Sequence, residues 1–342
     1  MKSVVQISKV IIFIFLFLLT WFYVDSVLKP KFSDGISNLI KFYRFPKQNI
    51  DVVFIGSSHV FLDINPAIIW QEKGIPTYVL GGSVQPFWNS YYYIKECLKY
   101  QSPKVIVLDV YAICYDMEYS DWSRIVKNNV GLKIGKDKIE SIMVSAPKSK
   151  WADLILGLPS YHRRYNELTK RDFDGPYKIS EDGDVYINGY YAATGRCPQS
   201  CPDVTSVTSI KEDLPYKQHK YLNKIINLAK LKNIDLLLVV TPYILSPQEQ
   251  KIFNLVDRLA KENNIKFINY NLQYNELSLD FSTDFLDLSH LNIYGSTKVS
   301  KHIANFLATE YRLEDKRQNP KYAQWNKWAK AVEKEVRGKL TR

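Results

Sequence analysis

A chain of 342 residues, 46% of them hydrophobic, holds enough apolar material for one large domain or two modest ones, so disorder is excluded. The formal charge of +11 calls for an anionic partner. No zinc spacing, helix-turn-helix pattern or RNA-binding aromatic signature accompanies it, which discounts nucleic acid in favour of anionic lipid or wall polymer, and no metal constellation or cofactor motif is present.

The N-terminus opens with an unbroken apolar run from Val10 to Val24, with Lys2 and Lys9 before it and Trp21 and Tyr23 near its outer end. That is a signal-anchor pattern. Val4, Val5 and Ile7 upstream, and Val27 and Leu28 downstream, extend it to spanning length if Lys9 snorkels. The only cleavage-like site is Val24-Asp25-Ser26, so a retained anchor over residues 1–31 is expected, with everything after Lys29 outside the cytoplasm.

Beyond a short basic linker, Asp51 to Ile55 is a compact apolar run ending at Gly56 and reads as a buried strand. Asn65 caps a following helix with Pro66 in its first turn, and Gly74-Ile75-Pro76 stops it. A strand at Thr77 to Leu80, a helix from Trp88 to Lys99 and a strand at Val105 to Val110 continue the alternation. The rhythm breaks near Tyr111, and residues 115–213 are expected to form an insertion or cap, being too long for a plain loop. It resumes with a helix from Tyr216 to Leu231, a strand at Asp235 to Val240, a helix from Pro247 to Asn263, a strand at Lys266 to Asn269 and a last helix after His290. The expected fold is α/β: a doubly wound, flavodoxin-like, parallel five-stranded sheet in two parts, residues 45–114 and 214–312, preceded by one transmembrane helix. Ligands of such sheets sit at the carboxyl ends of the strands.

Two motifs fall there. Directly after the first strand, Gly56-Ser57-Ser58-His59 lifts a hydroxyl above the sheet edge at a helix start, where an exposed nucleophile and free backbone N–H groups are wanted. Taken alone this is equally a helix cap. Far downstream, Asp287-Leu288-Ser289-His290 sets a carboxylate three residues before an imidazole. If that stretch forms a helical turn, both side chains share a side and the carboxylate can orient the ring.

The order, spacing and context of these motifs resemble the SGNH or GDSL hydrolase superfamily, whose first block is Gly-Asp-Ser and whose last is Asp-x-x-His. The resemblance covers Asp51 to about Cys114 and Tyr216 to about Tyr311. It implies Ser58 as nucleophile, His290 as base and Asp287 as orienting acid. Ser57 replaces the family's Asp, as in the branch with the D-alanyl lipoteichoic acid transfer protein and the singly anchored polysaccharide O-acetylation proteins. Gly82, Val84 and Gln85 follow the second strand as candidate oxyanion donors, with Val84 standing where the family usually has Gly. The third-block Asn is absent; the turn there is Tyr111-Ala112-Ile113-Cys114, which leaves a donor to be sought at Tyr111 or Gln85.

What the resemblance implies is an extracytoplasmic, serine-dependent O-acyl transferase or esterase, acetyl being the expected acyl group, without cofactor. Its expected partners are an envelope polysaccharide or wall polymer and a membrane-bound O-acyltransferase delivering activated acyl groups. The alternative is a non-catalytic envelope protein that keeps the fold and binds glycan or that acyltransferase. His59 and Tyr111 are candidate substrate contacts, as are His162 and Arg163 in the aromatic and basic cluster Pro159 to Tyr165, a stretch that reads more readily as a solvated helix face beside a small satellite core. Cys197 and Cys201 could close a small disulfide, whereas Cys97 and Cys114 read as small buried hydrophobes. In the basic tail, residues 313–342, Trp325, Trp328, Ala329, Val332, Val336 and Leu340 share one helical face, expected to dock on the body ahead of lying on a membrane.

Overall fold

The computed structural model describes residues 2–173, 186–211 and 213–340; the remainder of the expected insertion and the last two residues of the tail lie outside the described residues. Five near-continuous apolar runs form one parallel sheet: β1 (Val52–Gly56), β2 (Thr77–Gly81), β3 (Val105–Asp109), β6 (Asp235–Val240) and β7 (Lys266–Asn269), the numbers between being taken by a hairpin, β4 (Tyr186–Ile187) and β5 (Tyr190–Tyr191). The order is β2-β1-β3-β6-β7, the flavodoxin-like arrangement expected, and the strand bounds agree with the sequence reading to within a residue.

Alternation along each strand divides the core. Val53, Ile55, Ile106 and Leu108 join one apolar cluster with Phe87, Tyr93, Leu222, Ile225 and Phe253 of the helices Phe87–Cys97, Tyr216–Lys232 and Pro247–Glu262. Val52, Phe54, Val105 and Val107 join a second, with Ile69 of the helix Pro66–Lys73 and Val299, Ile303 and Leu307 of the helix Ile293–Glu310. Both faces are covered, as a parallel sheet requires.

One stretch departs from the sequence reading. The presumed linker contains a helix, Ile36–Phe42, whose Ile36, Leu39 and Phe42 are buried, so the body begins ahead of residue 45. Their three-residue spacing puts all three on one helical face, and Asn38 Nδ2 donates to the Gly81 carbonyl at the end of β2.

The insertion is mostly helical on its amino side. Ile125, Val126, Ile142, Leu154 and Tyr161 form a third apolar cluster with Ile36. After the hairpin, the chain runs past the sheet edge. Val79 N–H donates to the Asn188 carbonyl, capping edge strand β2 where it would otherwise present open ladder groups.

The N-terminal helix Lys2–Leu28 carries the hydropathy and length to cross a membrane. Its end is tied to the insertion: Tyr161 Oη donates to Asp25, and Arg164 donates to the Leu28 and Lys29 carbonyls at 2.9 Å. The tail docks on the body, as expected. Trp325 is buried, stacks on Trp70 at 5.6 Å between centroids and meets Phe45 edge-on.

Candidate active site

The crevice of a doubly wound sheet lies where the chain leaves one strand toward opposite edges, here between the carboxyl ends of β1 and β3. Across that crevice the structure builds a buried polar knot. Ser57 N–H and Oγ–H both donate to Asp109 Oδ2, at 3.2 and 2.8 Å, and Tyr111 N–H donates to Oδ1 at 3.0 Å. Burial pushes the Asp109 carboxyl up, while the nearby His59 and these donors pull it down. Gly56 is obligatory beside it, because a Cβ there would stand 2.5 Å from the Asp109 Cβ.

The cap is Ser57, not its neighbour: its Oγ also accepts from His59 N–H at the start of the short helix Ser58–Asp63. Ser58 is thereby left with a half-buried hydroxyl and with a backbone N–H that takes no hydrogen bond among the described residues. His290 Nε2 lies 2.7 Å from Ser58 Oγ, and its Nδ1 lies 3.0 Å from both Asp287 oxygens. With Nδ1–H donating to the carboxylate, Nε2 is the acceptor that faces the serine proton.

Asp287 to His290 do not form a helical turn. A tight loop replaces it, closed by Leu286 N–H donating to the His290 carbonyl at 2.9 Å and by the Phe285–Leu291 bridge. Asp287 Oδ1 accepts from Ser289 N–H and His290 N–H at 2.7 and 2.9 Å, so the loop, not helical spacing, aims carboxylate and ring at each other. Asn292 then caps the helix that follows. Burial works against the Asp287 carboxylate, but the His290 bond and these N–H donors outweigh it and hold its pKa below the ordinary value. For His290, burial lowers the pKa, yet the Asp287 bond and the charges of Asp63, Asp287 and Asp109 prevail and raise it.

A second imidazole, unremarked as such in the sequence, backs the first. His59 is fully buried, with its ring 5.2 Å from His290 and 3.9 Å from Tyr111. Its Nδ1 is 3.0 Å from Thr241 Oγ1, which donates to Asp63 Oδ2 at 2.5 Å. Asp63 Oδ1 accepts from Leu291 N–H at 2.9 Å. One carboxylate on the helix that begins at Ser58 therefore grips the backbone just after His290. Asp63, Thr241 and Asp109 escaped the sequence reading; only the last left a trace, an acid closing an otherwise apolar strand at the same rim as Ser58.

The oxyanion candidates separate. Gly82 N–H donates to the Gly56 carbonyl at 3.3 Å and Gln85 N–H to the Gly82 carbonyl at 3.1 Å, while Gln85 Nε2 donates to Ser90. Those donors are spent inside the loop, which corrects their assignment. Val84 remains, its N–H unbonded among the described residues and its φ at +48°. A β-branched residue in the left-handed region is strained by ~1–3 kcal/mol, and the strain falls where the resembled family places glycine.

Tyr111 stands at the site, its ring tilted against that of His59 and its hydroxyl hydrogen-bonded to Ser289, with its phenol pushed up to about 12 mainly by burial. His59 is sealed inside and cannot touch a substrate from its present position, so its reading as a contact is corrected to a supporting one. His162 and Arg163 are exposed on the segment that grips the N-terminal helix, and no contact joins them to the triad. Cys197 and Cys201 are not bonded to each other; Cys197 Sγ takes a hydrogen bond from Gln199 Nε2. The loop between them is held instead by Cys197 and Gln199 N–H groups donating to the Phe285 and Phe281 carbonyls.

No protein-family model and no curated protein matches this chain. Among solved structures, a Bacteroides fragilis protein named a "putative acylhydrolase" is similar over 79% of this chain and 93% of its own, at 13% identity and a TM-score of 0.40.

Proposed function

We propose that this protein is a serine acyl-transfer enzyme working through an acyl-Ser58 intermediate. The observation that carries the proposal is the continuous line from Ser58 Oγ through His290 to Asp287, with contacts of 2.7 and 3.0 Å. In that line His290 Nε2 takes the Ser58 proton as Oγ attacks an ester carbonyl, and Asp287 stabilises the imidazolium that forms. The tetrahedral oxyanion is met by the Ser58 and Val84 N–H groups. His290 then returns its proton to the departing alkoxide, leaving the acyl group on Ser58. An incoming hydroxyl, deprotonated by His290, takes the acyl group, and the expelled Ser58 oxygen takes that proton back from His290; water gives an esterase, a sugar or polyol a transferase.

The acceptor proposed is an envelope polysaccharide or wall polymer, with a membrane-bound O-acyltransferase as acyl source and the body on the extracytoplasmic side. Supporting a bulky acceptor, the triad stands at an open rim: the Asp287 side chain is 49% exposed and Leu288 beside it 59%. Retention of the fold for glycan binding alone is the second reading, favoured by the spent Gly82 and Gln85 donors. Acetyl transfer from 4-nitrophenyl acetate to oligosaccharide fragments of the polymer, followed by mass spectrometry, tests the first reading. Transfer or hydrolysis lost in Ser58→Ala supports it; polymer binding with turnover equal in wild type and Ser58→Ala sinks it.

A further inference from the structure

Away from the triad, a groove of about 730 Å³ runs between the end of the N-terminal helix and the helical insertion. One wall is Phe17, Leu18, Trp21 and Phe22; the other includes Ile134 and Leu156, which are 81% and 55% exposed although they are large and apolar. Exposed apolar side chains of the body beside a helix fit to cross a bilayer mark surface that lipid, not water, covers.

The groove also holds a cation that makes no ion pair among the described residues. Lys138 lines it at only 7% exposure, has no carboxylate within 4.0 Å among the described residues, and its one hydrogen bond is a 3.5 Å contact to the Val130 carbonyl. Lys29 and Lys133 line the same groove. The single acid there, Asp25, is already engaged by Lys29 at 3.1 Å and by Tyr161. A buried ammonium without a counter-ion is costly unless an anion reaches it.

We propose that this groove binds one anionic glycerophospholipid of the bilayer, its phosphate held by Lys138 with Lys29 and Lys133 at the rim, and an acyl chain laid against Phe17 and Phe22. Burial and the neighbouring Lys29 outweigh the opposing charge of Asp25 and bring the Lys138 ammonium down to about 8, a cost that a phosphate at that position offsets. The occupant comes from the membrane itself, because the apolar wall is the membrane helix. This inference rests on that helix lying in a bilayer and is independent of the chemistry at Ser58.

The test uses the full-length chain in neutral maltoside detergent, with native mass spectrometry and thermal unfolding, titrated with phosphatidylglycerol, phosphatidylcholine or glycerol 1-phosphate. One retained phosphatidylglycerol, bound at least ~10-fold more tightly than phosphatidylcholine (~1.4 kcal/mol) and raising the melting temperature, is expected. Lys138→Met should lose that preference and melt no lower than wild type without lipid, whereas Lys138→Arg keeps it. Leu156→Asp, at an exposed position, should likewise lose binding and serves if Lys138→Met does not fold. Equal binding of the two lipids, full binding by folded Lys138→Met or by Leu156→Asp, or an equal shift with glycerol 1-phosphate would overturn the proposal.

Discussion

Two imidazole–carboxylate pairs stand side by side at the sheet's carboxyl rim and differ in what the far nitrogen meets. His290 and Asp287 sit at the surface, and Nε2 faces the Ser58 hydroxyl at 2.7 Å. His59 and Asp63 are sealed from solvent, bridged by Thr241, and His59 Nε2 has no hydrogen-bond partner among the described residues. Proximity of ring and carboxylate is common to both, so it does not by itself make a base. What distinguishes the outer pair is a hydroxyl proton within reach of the ring and exposure to solvent. The inner pair holds the outer one, since Asp63 grips Leu291 N–H and adds its charge to the field at His290.

The sharpest way to break this contrast is to delete one ring at a time. His290→Ala is expected to lower kcat/KM for an acetyl ester by ~10³-fold or more, and His59→Phe by under ~100-fold; equal losses would remove the distinction between the pairs. Asp287→Asn should cost ~10²–10⁴-fold. It should also move the acid limb of the kcat/KM profile. His290 must be neutral to act, its pKa is raised above 6.5 by acids that include Asp287, and so the limb lies above pH 6.5 and shifts to lower pH when that charge is removed. Asp63→Asn should shift the limb the same way with a milder loss of ~10–100-fold, a combination that a purely structural role would not give. Smallest at the site is Trp325→Ala: in the docked tail it should cost ~3–5 kcal/mol of stability by denaturant titration and leave the acid limb in place.

The same contrast marks what could be read from the chain beforehand. The five strands were legible because buried parallel strands are continuous apolar runs bounded by Gly, Pro or Asn. Ser58 and the Asp287/His290 loop were legible because each lies within a few residues of a strand end or helix start. The network around the inner pair was not, since Thr241 and Asp109 come from segments far from the helix that carries His59 and Asp63 and meet it only through the strand order. Local geometry also misled in places. Three-residue spacing left a helical turn open where backbone donors to Asp287 make a tight loop, and helix Ile36–Phe42 was passed over because Ser37, Asn38 and Lys41 dilute a short apolar stripe. The left-handed Val84 leaves no signal in its own residue type, because nothing in a β-branched residue announces a positive φ; only its standing where the resembled family usually has Gly pointed there.

Site-resolved labelling with a fluorophosphonate tests the triad most directly, since it asks for an activated hydroxyl without presupposing the natural acyl donor. One adduct per chain, mapped to Ser58, absent in Ser58→Ala and at least ~10²-fold slower in His290→Ala, is the expected result. Folded wild type that stays unlabelled, or labelling at Ser58 that proceeds equally fast without His290, would contradict it.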